Sequence, residues 1–595
     1  MAGQIDAREL RRRAREYVEH ERDERFRAEV ERLLESDDAD ELTDRFYEHL
    51  EFGTGGLRGV IGGGFNRMNP LVVARATEGL ARYVSSHGDR SADGTLRAVV
   101  AYDCRRYSDA FALQTALVFA ANGIRAYLFP TLRPTPVLSF AVRRLGASVG
   151  VVVTASHNPP EYNGYKVYWS DGAQVVAPHD SAIISEVRAV SGAPALIGRE
   201  EALEQGMLVY LDDRMDDEFA AMVKRQSVRP RLVRDTGEDL KIVYTPLHGT
   251  GAVMVERVLG ELGLRVVTVA EQREPDGEFP TVESPNPEEA SALERALALA
   301  MEERADIVMA TDPDADRIGV AVPAGGGFEL LTGNQLGALL ADYVLGGRRE
   351  CGTLPEKPVF VKTIVTTELQ RKVAEHHGAR VYDTLTGFKH IATVMRRLEE
   401  SPQEGTYVLG GEESYGYLIG TEVRDKDAIT AAMITAELAL YQRSRGRTVL
   451  ERLHELYDQF GYYEEIQISR YFRGLSGSRT IAELMKRLRA ESPRHIAGVP
   501  VHLVKDYQAH TTADLAANEV RHDIDLPSSN VLQFILEDET VVSARPSGTE
   551  PKIKFYASVS SPAGTPLETA RQEVRDELHR IREWVDEQLA VIGAS

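Results

Sequence analysis

The chain has 595 residues, 43% hydrophobic and 27% charged, with a net charge of −22. That length accommodates about four domains, and the negative balance argues against non-specific nucleic-acid binding while leaving room for an anionic small substrate wherever Arg and Lys cluster locally. With only two cysteines, Cys104 and Cys351, no apolar run of membrane-spanning length and no signal-peptide core in MAGQIDARELRRRAREYVEHERDERF, the expectation is a cytoplasmic protein with neither disulfide framework nor membrane or nucleic-acid partner.

Residues 1–50 carry apolar positions such as Leu33, Leu34, Phe46 and Leu50 at helical spacing, which predicts an N-terminal helical extension. The stretch EFGTGGLRGVIGGGFNRMN (51–69) is rich enough in glycine to let backbone approach a ligand closely, with Arg58 as an anion contact. Strand-like and helix-like segments then alternate. TLRAVVAYD (95–103) predicts a strand, 110–121 a helix, and the β-branched Val151, Val152 and Val153 a buried strand that breaks into TASHNPP (154–160). Pro159 and Pro160 stiffen that loop, so Ser156 is presented at the carboxyl end of a strand, where open α/β sheets place ligands. Further units open at KIVYTPLHGTG (241–251) and PVFVKTIVTTEL (358–369). A strand ending in a polar or Gly-rich loop, repeated, implies several α/β domains. After residue 470 two strands, NVLQFILED and KIKFYASV, flank ETVVSARPSGTEP, and a helix over 566–589 follows, which reads as a separate α+β domain. The predicted segments are 1–50, 51–235, 236–345, 346–470 and 471–595.

Asp312, Asp314 and Asp316 alternate in TDPDADR. In an extended stretch, period-two geometry aims all three carboxylates one way. Three clustered anions call for a cation, and an all-oxygen carboxylate set suits Mg²⁺; Arg317 adds a positive charge beside them. TGFK (386–389) and GGEESYG (410–416) are Gly-punctuated loops, and Glu412 and Ser414 are candidates to hold sugar hydroxyls, although GEES by itself reads as a helix N-cap. VRDKDA (423–428) places Lys426 between two aspartates, which by itself reads as a solvated face. Only 12 of the 70 basic residues are lysines, none before Lys166, so those kept in loops point to a proton-transfer role that arginine cannot fill. ARPSGTEPKIK (544–554) offers Arg545 to fork onto phosphate oxygens, hydroxyls at Ser547 and Thr549, and an anion nest around Gly548.

TASHNP, DPDADR, GEESYG and RPSGTEPK, in this order and spacing, resemble the α-D-phosphohexomutase superfamily over residues 52–556, and most closely its bacterial phosphoglucomutase group, whose loops read EESYGYLIG and VRDKDA. The resemblance implies an α/β fold of three related mixed α/β domains plus a C-terminal α+β, TBP-like domain around a central cleft, as a monomer or dimer. It implies a sugar phosphate as the small-molecule partner. Ser156 would carry a phosphoryl group, with Mg²⁺ bound by a phosphoserine oxygen, Asp312, Asp314 and Asp316. Transfer to glucose 1-phosphate would give glucose 1,6-bisphosphate, also the activator, and return of its other phosphate would release glucose 6-phosphate. Arg58 and Arg317 would stabilise charge, and His157 would orient the serine loop. Arg545, Ser547, Gly548 and Thr549 would grip the phosphate not transferred, Glu412 and Ser414 would hold hydroxyls, and Lys362, Thr386 and Gly387 would neighbour sugar or phosphate. Lys166 and Lys426 are the implied acid–base pair. Gly416 stands where the mannose/glucose branch of the superfamily places a histidine, which favours Lys426 and weighs against a phosphomannomutase. Phosphomannomutase or phosphopentomutase activity remains the alternative on the same fold. A metal-dependent sugar phosphatase would need no remote phosphate loop, and a non-catalytic sugar-phosphate sensor would show a degraded Ser or Asp motif.

Overall fold

A computed structural model describes residues 6–36, 38–53, 55–472, 474–547 and 552–593. The chain folds as two compact units, Met1–Leu336 with Ala392–Gly446, and Gly337–Ile391 with Arg447–Ser595. Among the described residues no helix is long and apolar enough to cross a membrane.

The N-terminal extension is three helices, Ala7–His20, Glu24–Glu35 and Ala39–Phe46, each started by an aspartate whose side chain accepts a backbone N–H of the first turn. Their apolar faces close a small core of Leu10, Ala14, Tyr17, Val30, Leu42 and Phe46 against Phe65 and Leu71. The glycines at 62–64 serve this docking and not a ligand, which corrects the expectation from sequence. A Cβ on Gly63 would lie 2.6 Å from the Phe26 carbonyl oxygen and 2.7 Å from Val30 Cγ2. The Gly63 N–H donates to Glu29 Oε2 at 2.9 Å, and Arg45 donates to the Gly63 carbonyl at 3.0 Å. Glycine is needed there because helix backbone and side chain occupy the space.

The first sheet comprises β1 (Gly56–Val60), β2 (Arg97–Tyr102), β3 (Arg125–Leu128), β4 (Val149–Val153), β5 (Tyr162–Trp169) and β6 (Leu208–Tyr210), in the order β1-β5-β4-β2-β3-β6. Every residue of β4 is buried, as expected for a strand covered on both faces, and it pairs parallel with β2 and antiparallel with β5. Helix Pro70–His87, with Asn69 at its N-cap and Pro70 at its first position, follows β1. The second sheet comprises β7 (Lys241–Thr245), β8 (Arg265–Thr268), β9 (Ile307–Thr311), β10 (Ile318–Ala324) and β11 (Gly327–Leu331), in the order β11-β10-β9-β7-β8. The parallel core strands β7, β8 and β9 and the antiparallel edge formed by β10 and β11 make a mixed sheet.

β12 (Pro358–Thr363) and β13 (Arg380–Thr384) pair in parallel around helix Glu368–His376 in the second unit, whereas β14 (Thr406–Glu412) and β15 (Gly416–Ile419) form an antiparallel hairpin in the first. The C-terminal domain is an eight-stranded antiparallel sheet that includes Tyr463–Tyr471, Leu532–Leu536, Val541–Pro546 and Lys552–Ser560, with helices Gly474–Ala490 and Leu567–Gly593. Burial alternates along Lys552–Ser560 except at Phe555, Tyr556 and Ala557, which are all buried, as in a strand with one covered face.

Candidate active site

Ser156 sits on the loop that leaves β4, with φ of 52° in the left-handed region. A non-glycine residue there costs about 1–3 kcal/mol and persists only where surrounding contacts over-determine it. Those contacts are visible. The Ser156 N–H donates to Thr154 Oγ1 at 2.9 Å. Behind the loop, the buried Arg105 guanidinium donates to four carbonyl oxygens: Ser156 at 2.6 Å, Pro159 at 2.8 Å, Tyr162 at 3.0 Å, and Asn158. Arg105 is itself balanced by Asp103 at 3.3 Å, both side chains fully buried, and lies over the Phe279 ring at 5.1 Å. Sequence reasoning missed Arg105; its only signal was an arginine just past the strand-ending Asp103. Arg105→Met should lower kcat by about tenfold or more through misplacement of Ser156, and should destabilise the fold by about 3–5 kcal/mol by leaving Asp103 buried and unpaired. Adding Asp103→Asn should recover stability, read by chemical denaturation, without recovering the rate.

The three aspartates lie on the connection from β9 to β10. It is not extended, as the period-two argument assumed, but a tight turn: the Ala315 N–H donates to the Asp312 carbonyl at 2.9 Å and Ala315 has φ of 50°. Asp312 Oδ1 then accepts the backbone N–H groups of Asp316 and Arg317, each at 3.0 Å. The turn converges the carboxylates so that one oxygen from each lies within 4.8 Å of the others. The loop TPLHGTG (245–251), which the sequence marks only as the end of a strand, buttresses it: Thr250 donates through N–H and Oγ1 to the Pro313 carbonyl at 2.8 and 2.9 Å. Gly249 admits that contact, since a Cβ there would fall 2.4 Å from Pro313 Cα.

Ser156 Oγ donates to Asp312 Oδ2 at 2.7 Å, which joins the serine loop to the acidic turn, and His157 Nδ1 stands 3.1 Å from the same hydroxyl. Burial, reinforced by Arg317 and Arg58, pushes His157 well below the usual imidazole range, which favours the uncharged ring. Burial and the neighbouring Asp314 and Asp316 push the Asp312 carboxyl well up. Burial also opposes charge on Asp314 and Asp316, but the lysines outweigh it and hold both below the usual range. Lys166 Nζ lies 2.6 Å from Asp314 Oδ2 and 3.3 Å from Asp316 Oδ2, and Lys426 Nζ lies 3.1 Å from Asp316 Oδ2. Despite burial, these carboxylates raise both ammonium groups. Thr135 Oγ1 donates to Asp314 Oδ2 at 2.7 Å. Asp314 Oδ1 and Asp316 Oδ1 are buried without a hydrogen-bond partner among the described residues. Two unsatisfied carboxylate oxygens beside a third carboxylate fit a hard divalent cation.

Arg58, exposed on β1, donates to Asn158 Oδ1 at 3.2 Å at the rim of the serine loop. Arg317 pairs with Glu288, another residue without a sequence signal. Glu412 is buried at the end of β14, and its carboxylate is among the charges that raise Arg317 and Lys426. GEES is not a helix N-cap: Glu413, Ser414 and Tyr415 form the turn of the β14–β15 hairpin, with Tyr415 at φ of 61° and its carbonyl accepting the Ile318 N–H at 3.1 Å. Nor is VRDKDA a solvated face, for Arg424, Asp425 and Asp427 are buried. Gly416 makes room for Lys426; a Cβ there would lie 2.0 Å from Lys426 Cδ. Gly416→Ala should therefore displace the lysine and lower kcat by about 10²-fold with little change in folding, checked by steady-state kinetics and circular dichroism.

In the second unit the ammonium of Lys362 turns inward. It is fully buried, donates to the Thr366 carbonyl at 2.9 Å and pairs with Glu368 at 2.7 Å and Asp383 at 3.3 Å. Direct contact with a substrate would break that network, so in this structure Lys362 braces the loop that leaves β12. Thr386 and Gly387 are half-buried in the loop after β13, where φ of 111° at Gly387 requires glycine. Arg545 and Ser547 are half-buried where Val541–Pro546 meets Lys552–Ser560, and the Ser547 N–H donates to the Lys552 carbonyl at 2.7 Å. Gly548 and Thr549 lie outside the described residues.

The structure thus brings Ser156, His157, Arg58, Lys166, the three aspartates, Arg317 and Lys426 together within one unit, from the first sheet, the β9–β10 turn of the second and the segment after the β14–β15 hairpin. A buried hydroxyl on an acidic cluster flanked by two lysines is a constellation suited to group transfer on an α/β fold. The chain belongs to the phosphoglucomutase/phosphomannomutase family: that family's alpha/beta/alpha domain I matches residues 49–192, domain II residues 217–326 and domain III residues 332–460. With the C-terminal antiparallel sheet these make three α/β/α domains plus a fourth. It is 37% identical over 516 residues to a phosphoglucomutase of Staphylococcus epidermidis, covering 86% of this chain and 91% of that protein. It is 34% identical over 537 residues to one of Staphylococcus aureus, covering 90% and 94%. Among solved structures it is similar to a putative phosphomannomutase from Thermus thermophilus, with 25% identity, a TM-score of 0.66 and coverage of 91% and 99%. Parafusin (phosphoglucomutase) from Paramecium, in its open form, shares the fold at a TM-score of 0.68 and 17% identity, over 92% and 96% of the two chains.

Proposed function

We propose that this enzyme interconverts glucose 1-phosphate and glucose 6-phosphate through a phosphoserine at Ser156 and glucose 1,6-bisphosphate. The observation that carries the reading is the Ser156 hydroxyl 2.7 Å from Asp312, beside two buried carboxylate oxygens without a hydrogen-bond partner among the described residues. The similarity to bacterial phosphoglucomutases over most of the chain supports it. A divalent cation, Mg²⁺ on the chemistry of its ligands, would be held by Asp312, Asp314 and Asp316, and supplies neutralisation of charge on the transferring phosphoryl group.

In the forward direction a sugar hydroxyl attacks the phosphorus on Ser156. The bond from Ser156 Oγ to phosphorus breaks, the new bond to the sugar oxygen forms, and the hydroxyl proton is taken up by the enzyme. We assign Lys166, which pairs with Asp314 and Asp316, to return a proton to Ser156 Oγ. We assign Lys426, charged in the unphosphorylated site, to protonate the sugar oxygen that leaves when a phosphoryl group returns to Ser156; the amine so formed takes the proton of the next attacking sugar hydroxyl, with Glu412 and Ser414 as hydroxyl holders. Arg58 and Arg317 steady the phosphoryl charge. On their chemistry, Arg545, Ser547, Gly548 and Thr549 are assigned the grip on a phosphate that is not being transferred. Product analysis tests the reading. Glucose 1-phosphate should give glucose 6-phosphate with no net release of inorganic phosphate, and kcat/KM for glucose 1-phosphate should exceed those for mannose 1-phosphate and ribose 1-phosphate by about tenfold or more. Stoichiometric phosphate release, or a preference for mannose, would contradict it.

A further inference from the structure

We propose that Tyr168 and Gln174, acting through Asp425, are positioning residues that fix Lys426 over the acidic turn, so that strand β5 sets both lysines of the site. The proposal rests on the acid–base assignment of Lys426 made above. Lys166 and Tyr168 are two apart on β5 and therefore face the same way. Lys166 reaches Asp314 directly. Tyr168 reaches in the same direction but stops at Asp425: its hydroxyl donates to Asp425 Oδ2 at 2.8 Å, and Gln174 Nε2 donates to the same oxygen at 2.8 Å. An isolated antiparallel bridge pairs Tyr168 with Gln174 and keeps the two donors side by side.

The other oxygen of Asp425 faces the lysine. Oδ1 accepts the Lys426 backbone N–H at 2.8 Å and lies 3.2 Å from Lys426 Nζ. The carboxylate is thus divided, one oxygen fixed by the domain that carries Ser156 and the other fixing Lys426. Tyr168 and Asp425 are almost wholly buried, so this arrangement is shielded from water. Burial, with the adjacent Asp425, pushes the Tyr168 phenol well up, which keeps it a donor. A lysine stem is long and flexible, and an ammonium group lacks the planar fork that orients arginine. Asp316, which also tethers Lys426 at 3.1 Å, is one of the candidate metal ligands. Asp425 is a tether that remains when a cation claims the turn.

The test is steady-state kinetics on the full-length enzyme with Tyr168→Phe, Gln174→Met and Lys426→Met, alone and combined. Tyr168→Phe and Gln174→Met should each lower kcat by about tenfold while KM stays within about twofold, because ground-state binding is untouched and only placement suffers. In the Lys426→Met background, Tyr168→Phe should change kcat by less than about twofold, since the group it positions is gone. Gln174 is only half-buried, so Gln174→Met carries the same comparison if Tyr168→Phe folds poorly. Wild-type kcat in Tyr168→Phe and Gln174→Met alongside an impaired Lys426→Met would overturn the positioning role. So would an equal loss with and without Lys426. A fully active Lys426→Met would instead remove the acid–base assignment, and the proposal with it.

Discussion

Replacing Ser156 with alanine is expected to lower kcat by at least about 10⁴-fold, while the affinity for glucose 1-phosphate stays within about twofold of wild type. The substitution removes one atom, Oγ, and with it the hydroxyl that meets Asp312 at 2.7 Å. It leaves the rest of the loop in place, because the restraints on that loop run through main-chain atoms: the Ser156 carbonyl held by Arg105 and the Ser156 N–H held by Thr154. Alanine tolerates φ of 52° about as poorly as serine does, so the backbone cost is the same in both proteins. A large loss of rate in a folded, substrate-binding protein is therefore attributable to the missing nucleophile. Intact-mass measurement should show the phosphorylated species disappear in the same variant.

Asp312→Asn should separate stability from activity. Asn can still accept the two N–H groups of Asp316 and Arg317 through its Oδ1, so the turn keeps its shape. What is lost is one of three buried negative charges, the one that burial and its neighbours already disfavour. The metal-free variant should thus melt at or above the wild-type temperature. The wild type should gain stability with Mg²⁺, by about 2.7 kcal/mol when the ion is at a hundred times its Kd, and the variant should lose most of that gain. Its kcat/KM should fall by about 10³-fold. Thermal melts with and without Mg²⁺, paired with kinetics, check both halves. A variant that keeps the Mg²⁺ shift and the rate would remove Asp312 from the site.

The sequence made legible those parts of the site that are contiguous. TASHNP and DPDADR each hold several reactive residues within one loop, so residue type and order expose them without a structure. What escaped notice are the residues that act across the fold. Arg105 holds the serine loop from another strand end, Thr250 and Gly249 brace the turn at Pro313, and Glu288 pairs with Arg317. No local pattern distinguishes these from ordinary loop residues. Glycine was informative about close approach and silent about what approaches: Gly63 admits the helix that carries Phe26 and Val30, where a ligand had been expected. The partners of Lys362 are not legible for a related reason. A lysine at a strand end can point outward or inward, and here Glu368 and Asp383 draw it in. The acidic turn shows that a correct convergence can be inferred from a wrong conformation, since three carboxylates meet through a tight bend and not through an extended strand.

The central claim is that Ser156 lends a phosphoryl group to a hexose phosphate and receives a different one in return. Enzyme labelled on Ser156 with radioactive phosphate, mixed with unlabelled glucose 1-phosphate and Mg²⁺, tests this directly. Label should leave the protein within a turnover and appear in glucose 1,6-bisphosphate and then in glucose 6-phosphate. Label that stays on the protein through many turnovers, or that appears only as inorganic phosphate, would contradict it.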